Sequence, residues 1–144
     1  MSDLVQYYLV DRSLSMRQGK ACAQCAHGAL LADRGYRDRN AFSAADAMHA
    51  IEDGGSSVSA FLDRMQDADT EYGQYKLWRD GGMRKIVLRA DSSLLQKAMD
   101  DFEFAVEVID DGHTEVDPGT RTVVVLPVMR KNEVPSWIGE LKLL

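Results

Sequence analysis

The segment that most restricts the fold of this chain is residues 19–32, which is rich in Gly, Ala and Cys. It follows an apolar run over residues 4–10 and a short polar loop. At about 100° per residue, an α-helix here places four side chains in one stripe, formed by Lys20, Gln24, His27 and Leu31. Because Ala, Cys and Gly fill most of the remaining surface, such a helix can lie very close to a sheet. The stripe then either faces water or lines a functional site.

Strands alternate with helices along the sequence. Runs rich in β-branched and aromatic residues predict four strands, at residues 4–10, 84–90, 105–109 and 120–128. Helical spacing and capping residues predict five helices, at about residues 19–34, 43–52, 57–67, 92–102 and 131–138, with a break at residues 35–40. The alternation indicates an α/β fold with at least some parallel pairing. The first and fourth strands are apolar enough to be covered on both faces.

The length of 144 residues fits one domain with its own core, so we expect a single domain over residues 1–144. Residues from about 35 to 75 read as an acidic, extended helical insertion. Its simplest role is an outer helical cover, and a dimer contact or a lid is the alternative. No run approaches the roughly eighteen apolar residues of a membrane span. The N-terminus also lacks a secretory pattern, so we expect a cytoplasmic protein with no membrane partner.

The charge balance argues against an extended nucleic-acid groove. The chain has seventeen Lys and Arg against twenty-three Asp and Glu, a net charge of −6, whereas nucleic-acid binders usually carry a basic surface. Residues 1–40 contain six basic and four acidic residues, whereas the rest of the chain contains eleven basic and nineteen acidic residues. The excess of basic residues is therefore confined to residues 1–40. A local basic surface near the first helix is compatible with a small site for an RNA end.

Cys22 and Cys25 form a C-x-x-C pair after the first strand, a spacing also found in thiol oxidoreductases. The helix is expected to begin before Cys22, so both thiols lie within its first turns rather than at its N-terminus. A zinc site needs about four ligands, and only three histidines accompany the pair. We therefore expect packed, reduced thiols with no metal and no cofactor, and we keep a thiol oxidoreductase as an alternative function.

Asp110 directly follows the third predicted strand. Ligand sites in α/β sheets usually lie beyond the carboxyl ends of parallel strands. If the first and third strands are parallel neighbours, Asp110 and Lys20 lie at the same edge of the sheet. The alternative is an ordinary acidic turn, because Asp110, Asp111 and Gly112 are common loop residues.

Four blocks of the sequence together carry a family resemblance. They are residues 19–27, 78–89, 110–122 and 139–144. In this order they resemble the type II peptidyl-tRNA hydrolases, and the first block has Lys20, Gln24 and His27 at the family's spacing. The match covers most of the chain except about residues 35–75. The resemblance implies a three-layer α/β/α fold with a four-stranded mixed sheet, whose fourth strand is antiparallel to the others.

The activity that the resemblance implies is hydrolysis of the ester between a peptide and the 3′ ribose of tRNA. The partner would be the acceptor end of peptidyl-tRNA, and the family suggests a homodimer. Ester hydrolysis by water needs a group that orients and deprotonates the water, donors for the oxyanion and a grip on the nearby phosphates. The sequence has no Ser/His/Asp order and no nucleophile elbow, which favours direct attack by water over an acyl-enzyme.

The resemblance also implies roles for individual residues. Asp110 is expected to orient the water, and Lys20 is expected to stabilise either the oxyanion or a phosphate. Hydrogen bonds to substrate or water are expected from the other members of the catalytic set, which are Gln24, Thr114 and Thr120. Residues expected to bind substrate are Arg12, Arg17 and His27. Arg12 and Arg17 would contact tRNA phosphates, whereas His27 is equally well interpreted as an ordinary helix histidine.

The chain departs from the family pattern in three ways. His113 and Glu115 stand where the family commonly has Arg and Gln, the net charge is acidic, and the segment at about residues 35–75 is unmatched. These departures bear on the affinity for full-length tRNA and leave the expected chemistry intact. The alternative function is a non-catalytic member of the fold that binds RNA ends or a protein partner.

Overall fold

The structure is a computed structural model that describes residues 3–52, 70–112 and 115–144. The strands are β1 Leu4–Asp11, β2 Lys85–Ala90, β3 Val106–Asp110, β4 Thr120–Val125 and β5 Met129–Arg130. The helices are α1 Gln18–Glu52, α2 Glu71–Asp80, α3 Ser92–Asp101 and α4 Ser136–Gly139, with a 3₁₀ turn at Lys131–Glu133. No helix in these described ranges is both long enough and apolar enough to cross a membrane.

The sheet has the order β2-β1-β4-β3, and β5 pairs with the start of β1. The β1 and β2 strands are parallel, whereas β4 runs antiparallel to both of its neighbours, β1 and β3. This is the mixed α/β sheet that the resemblance implies, with the short β5 added. The first and third strands are not neighbours, because β4 lies between them. Both nevertheless run in the same direction, since each is antiparallel to β4, so their carboxyl ends share one edge of the sheet.

Helices cover both faces of the sheet. On one face, α1 packs over a cluster that includes Tyr8, Val108, Val123 and Val125. On the other face, α3 and α4 contribute to a cluster that contains Leu9, Val124, Leu126, Leu95 and Ile138. All eight residues of β1 are buried, as its apolar sequence predicted. The resulting three layers hold the start of α1 beside the carboxyl ends of β1 and β3.

The α1 helix is much longer than predicted. The sequence predicted a helix over residues 19–34, a break at residues 35–40 and a second helix over residues 43–52, but one helix continues through Gly35. A glycine inside a helix costs only about 1 kcal/mol, and tertiary contacts just beyond it offset this cost. Tyr36 stacks on Tyr75 of α2, with ring centroids 4.1 Å apart, and its hydroxyl accepts the backbone N–H of Val128 at 2.7 Å.

Other predicted boundaries change near prolines. The helix predicted over residues 131–138 is instead a 3₁₀ turn followed by α4, because Pro135 lacks an N–H donor and favours extended backbone at Val134. The fourth strand ends at Val125 rather than residue 128, just before Pro127.

The α2 helix was not predicted, and Thr70 caps it by accepting the N–H of Gly73 at 3.0 Å. The helix predicted over residues 57–67 lies outside the described residues.

Candidate active site

Three polar residues of the sequence signatures meet at the carboxyl end of β3. Asp110 is the last residue of β3, and its side chain is buried. Its Oδ2 atom accepts hydrogen bonds from Lys20 Nζ and, at 2.9 Å, from Gln24 Nε2. Lys20 is 90 residues away from Asp110 in the sequence and forms an ion pair with it. The lysine, the amide and the carboxylate therefore form one connected cluster.

The turn after β3 holds the second oxygen of this carboxylate. Asp110 Oδ1 accepts the backbone N–H of Gly112 at 2.6 Å. Gly112 has a φ of +77°, and a Cβ at this position would lie 2.4 Å from Pro118. Only glycine fits such a backbone without strain. Gly112 therefore contributes to the site by orienting the carboxylate of Asp110.

The small residues of α1 allow Gln24 to approach the sheet. A Cβ placed on Gly28, one turn after Gln24, would lie 2.5 Å from Val125 Cγ2 and 3.3 Å from Val108 Cγ2. Both valines belong to the core cluster beneath α1. The close packing expected from the sequence of residues 19–32 is thus present, and it brings the buried amide of Gln24 within reach of Asp110.

A groove runs from this cluster along α1. It has a volume of about 620 Å³ and lies between α1 and β3. Lys20, Gln24 and Asp110 contribute to its lining, and His27 and Arg34 add two further nitrogen-bearing side chains. Its apolar wall includes three large exposed side chains, Leu30, Leu31 and Ile109. The groove therefore joins a polar end to a surface that suits apolar groups.

The comparison with known proteins agrees with these signatures. The sequence profile of the family described as peptidyl-tRNA hydrolase PTH2 matches residues 4–144. The chain belongs to this family. A relative, the peptidyl-tRNA hydrolase of Haloquadratum walsbyi, is 30% identical over an alignment of 144 positions that covers 96% of this chain and 97% of the relative. The family resemblance found in the four sequence blocks is thereby confirmed.

Two threonines of the second PTH2 signature have different surroundings, and a third lies outside the described residues. Thr120 pairs with Asp110 across β3 and β4, but its hydroxyl donates to the carbonyl of Asp117 at 2.7 Å. Thr122 was not selected from the sequence, yet it is fully buried and its Oγ1 donates to Gln24 Oε1 at 2.8 Å. The available signal was a hydroxyl residue directly before the apolar run of residues 123–126. Thr114 is not among the described residues.

The basic residues expected to contact phosphates lie near the start of α1. Arg17 is 90% exposed, its guanidinium lies 3.6 Å from Glu115, and its backbone N–H donates to the same carboxylate at 2.7 Å. Arg12 lines a second cleft of about 310 Å³ on the other side of α1, next to Asp11 and Cys22. In this PTH2 member the two arginines therefore lie outside the groove, whereas the exposed His27 lies inside it.

The two cysteines do not have the surroundings of a redox pair. Both are free, with Cys22 exposed and Cys25 half-buried against the sheet. Burial raises the pKa of Cys25 from 9.0 to about 11, whereas a reactive thiol needs a lowered pKa. Within the described ranges, no three His, Cys, Asp or Glu side chains converge as they would around a metal ion.

Proposed function

We propose that this protein hydrolyses the ester between the peptide and the 3′ ribose of peptidyl-tRNA by direct attack of a water molecule. The observation that carries the proposal is the convergence of Lys20 and Gln24 on Oδ2 of Asp110 at the end of the groove. Membership of the peptidyl-tRNA hydrolase family supports the reaction class. The surrounding contacts suggest how the work is divided among the residues.

Asp110 orients the attacking water and accepts its proton. The water oxygen bonds to the ester carbonyl carbon, and the resulting tetrahedral intermediate carries the negative charge on the former carbonyl oxygen. When the intermediate collapses, the carbon–oxygen bond to the ribose breaks, the ribose oxygen takes up the proton held by Asp110, and the new carboxylic acid releases its proton to solvent. The products are a free peptide carboxylate and a tRNA with a free 3′ end. Gly112 and Gln24 hold Asp110 in place through this sequence.

Lys20 stabilises the oxyanion, because its ammonium group already lies at the carboxylate that orients the water. Its positive charge offsets that of the Asp110 carboxylate at the reacting end of the groove, where Asp111 adds a second acidic side chain. Among the described residues that line the groove, there is no Ser, Thr or Cys side chain to act as a nucleophile. This composition supports attack by water rather than an acyl-enzyme.

The remaining parts of the substrate fit the surfaces around this cluster. The peptide lies along the apolar wall formed by Leu30, Leu31 and Ile109, with His27 beside it. Arg12 and Arg17 contact phosphates of the acceptor end, since both are exposed near the start of α1. The oxygen of Thr120 accepts a hydrogen bond from the substrate, and Thr114 provides another. We further propose that the protein is a homodimer and acts in the cytoplasm. Light scattering tests the dimer, because one chain has a mass of 16.0 kDa.

Rapid quenching of a single turnover tests this mechanism. Purified protein is mixed with an equimolar N-acetyl-aminoacyl-tRNA in H₂¹⁸O, and both the protein and the products are analysed by mass spectrometry. We expect one ¹⁸O atom in the released carboxylate and no acylated protein at any time. An acylated protein that forms and decays at the turnover rate would contradict direct attack by water. Binding of the tRNA without any release would instead indicate the non-catalytic alternative.

A further inference from the structure

The β3–β4 ladder contains a bulge beside the Asp110 cluster. Val108 faces Val123 across the ladder, but the next residue of β3, Ile109, faces Arg121. Two steps along β4 therefore correspond to one step along β3, and Thr122 is left without a partner in β3. Such an extra residue bends the strand locally and changes the direction of a side chain.

The bulge turns Thr122 toward α1. Side chains of a regular strand alternate between the two faces, so Thr122 should face away from α1, on the side where Val124 packs. Instead, Thr122 and Val123 both face α1, since Val123 belongs to the cluster beneath that helix and Thr122 bonds to Gln24. Arg121 then faces the α3 side, where its guanidinium donates to Gln96 at 3.0 Å.

The hydroxyl of Thr122 and the carboxylate of Asp110 together hold the Gln24 amide in one orientation. Gln24 Oε1 accepts from Thr122 at 2.8 Å, which leaves Nε2 to donate to Asp110 Oδ2 at 2.9 Å. A flipped amide would place Oε1 against the carboxylate and two acceptors would face each other. The other acceptor near this hydroxyl, the carbonyl of Val108, is farther away at 3.4 Å. Thr122 has no exposed surface, and its hydroxyl thereby has a specific partner.

We propose that Thr122 is a positioning residue for the reaction. The bulge directs its hydroxyl to Gln24, and the hydroxyl fixes the amide so that Nε2 faces Asp110. Without it, Oε1 loses the hydrogen bond from Thr122 and the amide is held less firmly, so Nε2 is a weaker support for the water-orienting geometry of the carboxylate. This inference rests on the proposed function, because it takes Asp110 as the group that orients the water.

Two substitutions separate the hydroxyl from the shape of Thr122. Thr122→Val keeps the shape and removes the hydroxyl, whereas Thr122→Ser keeps the hydroxyl. We expect Thr122→Val to lower kcat for N-acetyl-aminoacyl-tRNA by about 10-fold to 100-fold with KM nearly unchanged. Thr122→Ser should recover most of kcat. The matched control is Val124→Ala, which alters the opposite face of the same strand and should lose stability without a comparable fall in kcat.

A double-substitution experiment tests whether Thr122 acts through Gln24. In a Gln24→Leu background, Thr122→Val should cause no further loss of kcat, because the group that it positions is absent. Wild-type kcat in folded Thr122→Val, or a full additional loss in the Gln24→Leu background, would overturn the proposal.

A measurement that does not depend on activity distinguishes this inference from the proposed function. The two side-chain NH₂ protons of Gln24, observed by NMR, should exchange slowly with solvent in the wild-type protein and in Thr122→Ser, and faster in Thr122→Val. Fast exchange with solvent in the wild type would overturn the positioning role even if Thr122→Val did not fold. An ordered amide in a protein that fails to release peptide would instead contradict the proposed function alone.

Discussion

Gln24 donates to Asp110 at 2.9 Å across 86 residues of sequence, and this contact requires α1 to lie close to the end of β3. The closest approach is at Gly28, where the hydrogen of glycine takes the place of a Cβ that would meet Val125. The position of the helix and the geometry of the polar cluster are therefore coupled. A change that lifts the helix should disturb stability and activity together.

Gly28→Ala tests this coupling. The added methyl group would lie 2.5 Å from a fully buried Val125, so we expect a loss of about 1–3 kcal/mol in the free energy of unfolding. Because Gln24 and Lys20 move with the helix, kcat/KM for peptidyl-tRNA should also fall by about 10-fold or more. Urea denaturation and steady-state kinetics measure the two effects.

The matched control for Gly28→Ala is Gly19→Ala in the first turn of the same helix. A Cβ there would meet nothing within 4 Å. Alanine has the higher helix propensity, so Gly19→Ala should leave stability unchanged or raise it by up to about 1 kcal/mol. Equal stability and activity of the two variants would show that close packing at Gly28 does not hold the site.

The cysteines should differ in reactivity. Burial raises the pKa of Cys25 to about 11, which keeps its thiol protonated, whereas Cys22 is exposed. We expect iodoacetamide to modify Cys22 much faster than Cys25 at pH 8, as followed by peptide mass spectrometry. A Cys22→Ser, Cys25→Ser double variant should retain turnover. Loss of turnover in a folded double variant would support a chemical role for the thiols.

The same raised pKa gives a stability prediction with a definite sign. The folded state holds the Cys25 proton more tightly than the unfolded chain, whose thiol titrates near 9.0. The stabilisation linked to this proton is therefore complete below about pH 9 and is lost as the pH rises toward about 11. Replacing Cys25 with Ser should remove this part of the alkaline loss of stability, measured as Tm against pH. An unchanged alkaline profile would contradict the assignment.

Glu115 is expected to weaken the contact between Arg17 and tRNA. Its carboxylate lies 3.6 Å from the exposed guanidinium of Arg17, so it competes with phosphate for that charge. Glu115→Gln removes the competing charge and keeps an oxygen for the backbone N–H of Arg17. We expect tighter tRNA binding at low salt. The slope of log affinity against log salt concentration should become more negative by roughly one. Arg17→Ala should change both in the opposite direction, and unchanged binding in both variants would exclude Arg17 from the interface.

The apolar wall of the groove should affect KM. Ile109 is 47% exposed and lines the groove, so Ile109→Ser should raise KM for substrates with apolar peptides by about 3-fold to 10-fold at nearly constant kcat. Leu77 is the matched control, because it is similarly exposed at 49% but does not line the groove. If Leu77→Ser raises KM as much as Ile109→Ser, the peptide lies elsewhere.

The sequence predicted the parts of the site that depend on local pattern. The small residues around Gly28 indicated close packing, and the spacing of Lys20 and Gln24 placed both on one helix face. The common edge for Lys20 and Asp110 was expected only on the condition that the first and third strands are parallel neighbours. A rule about carboxyl ends of strands holds for any two strands that run in the same direction, whether or not a third lies between them.

Features set by distant contacts were not predictable in the same way. The continuation of α1 past Gly35 depends on the stacking of Tyr36 on Tyr75, which no local pattern contains. Thr122 was missed because strict alternation along β4 assigns it to the face away from α1. Only the bulge, which is a relationship between two strands, reverses that direction.

The most direct test of the account is the rate of peptide release from N-acetyl-aminoacyl-tRNA by Lys20→Met and Asp110→Asn beside the wild type. Arg37→Met is the control, since it removes an exposed ion pair with Asp33 from the same helix. We expect each of the two site variants to lose about 100-fold or more in kcat while remaining folded by circular dichroism, and Arg37→Met to keep its rate. Near-normal turnover in either folded site variant would contradict the central claim that the Lys20–Asp110 pair carries the hydrolysis.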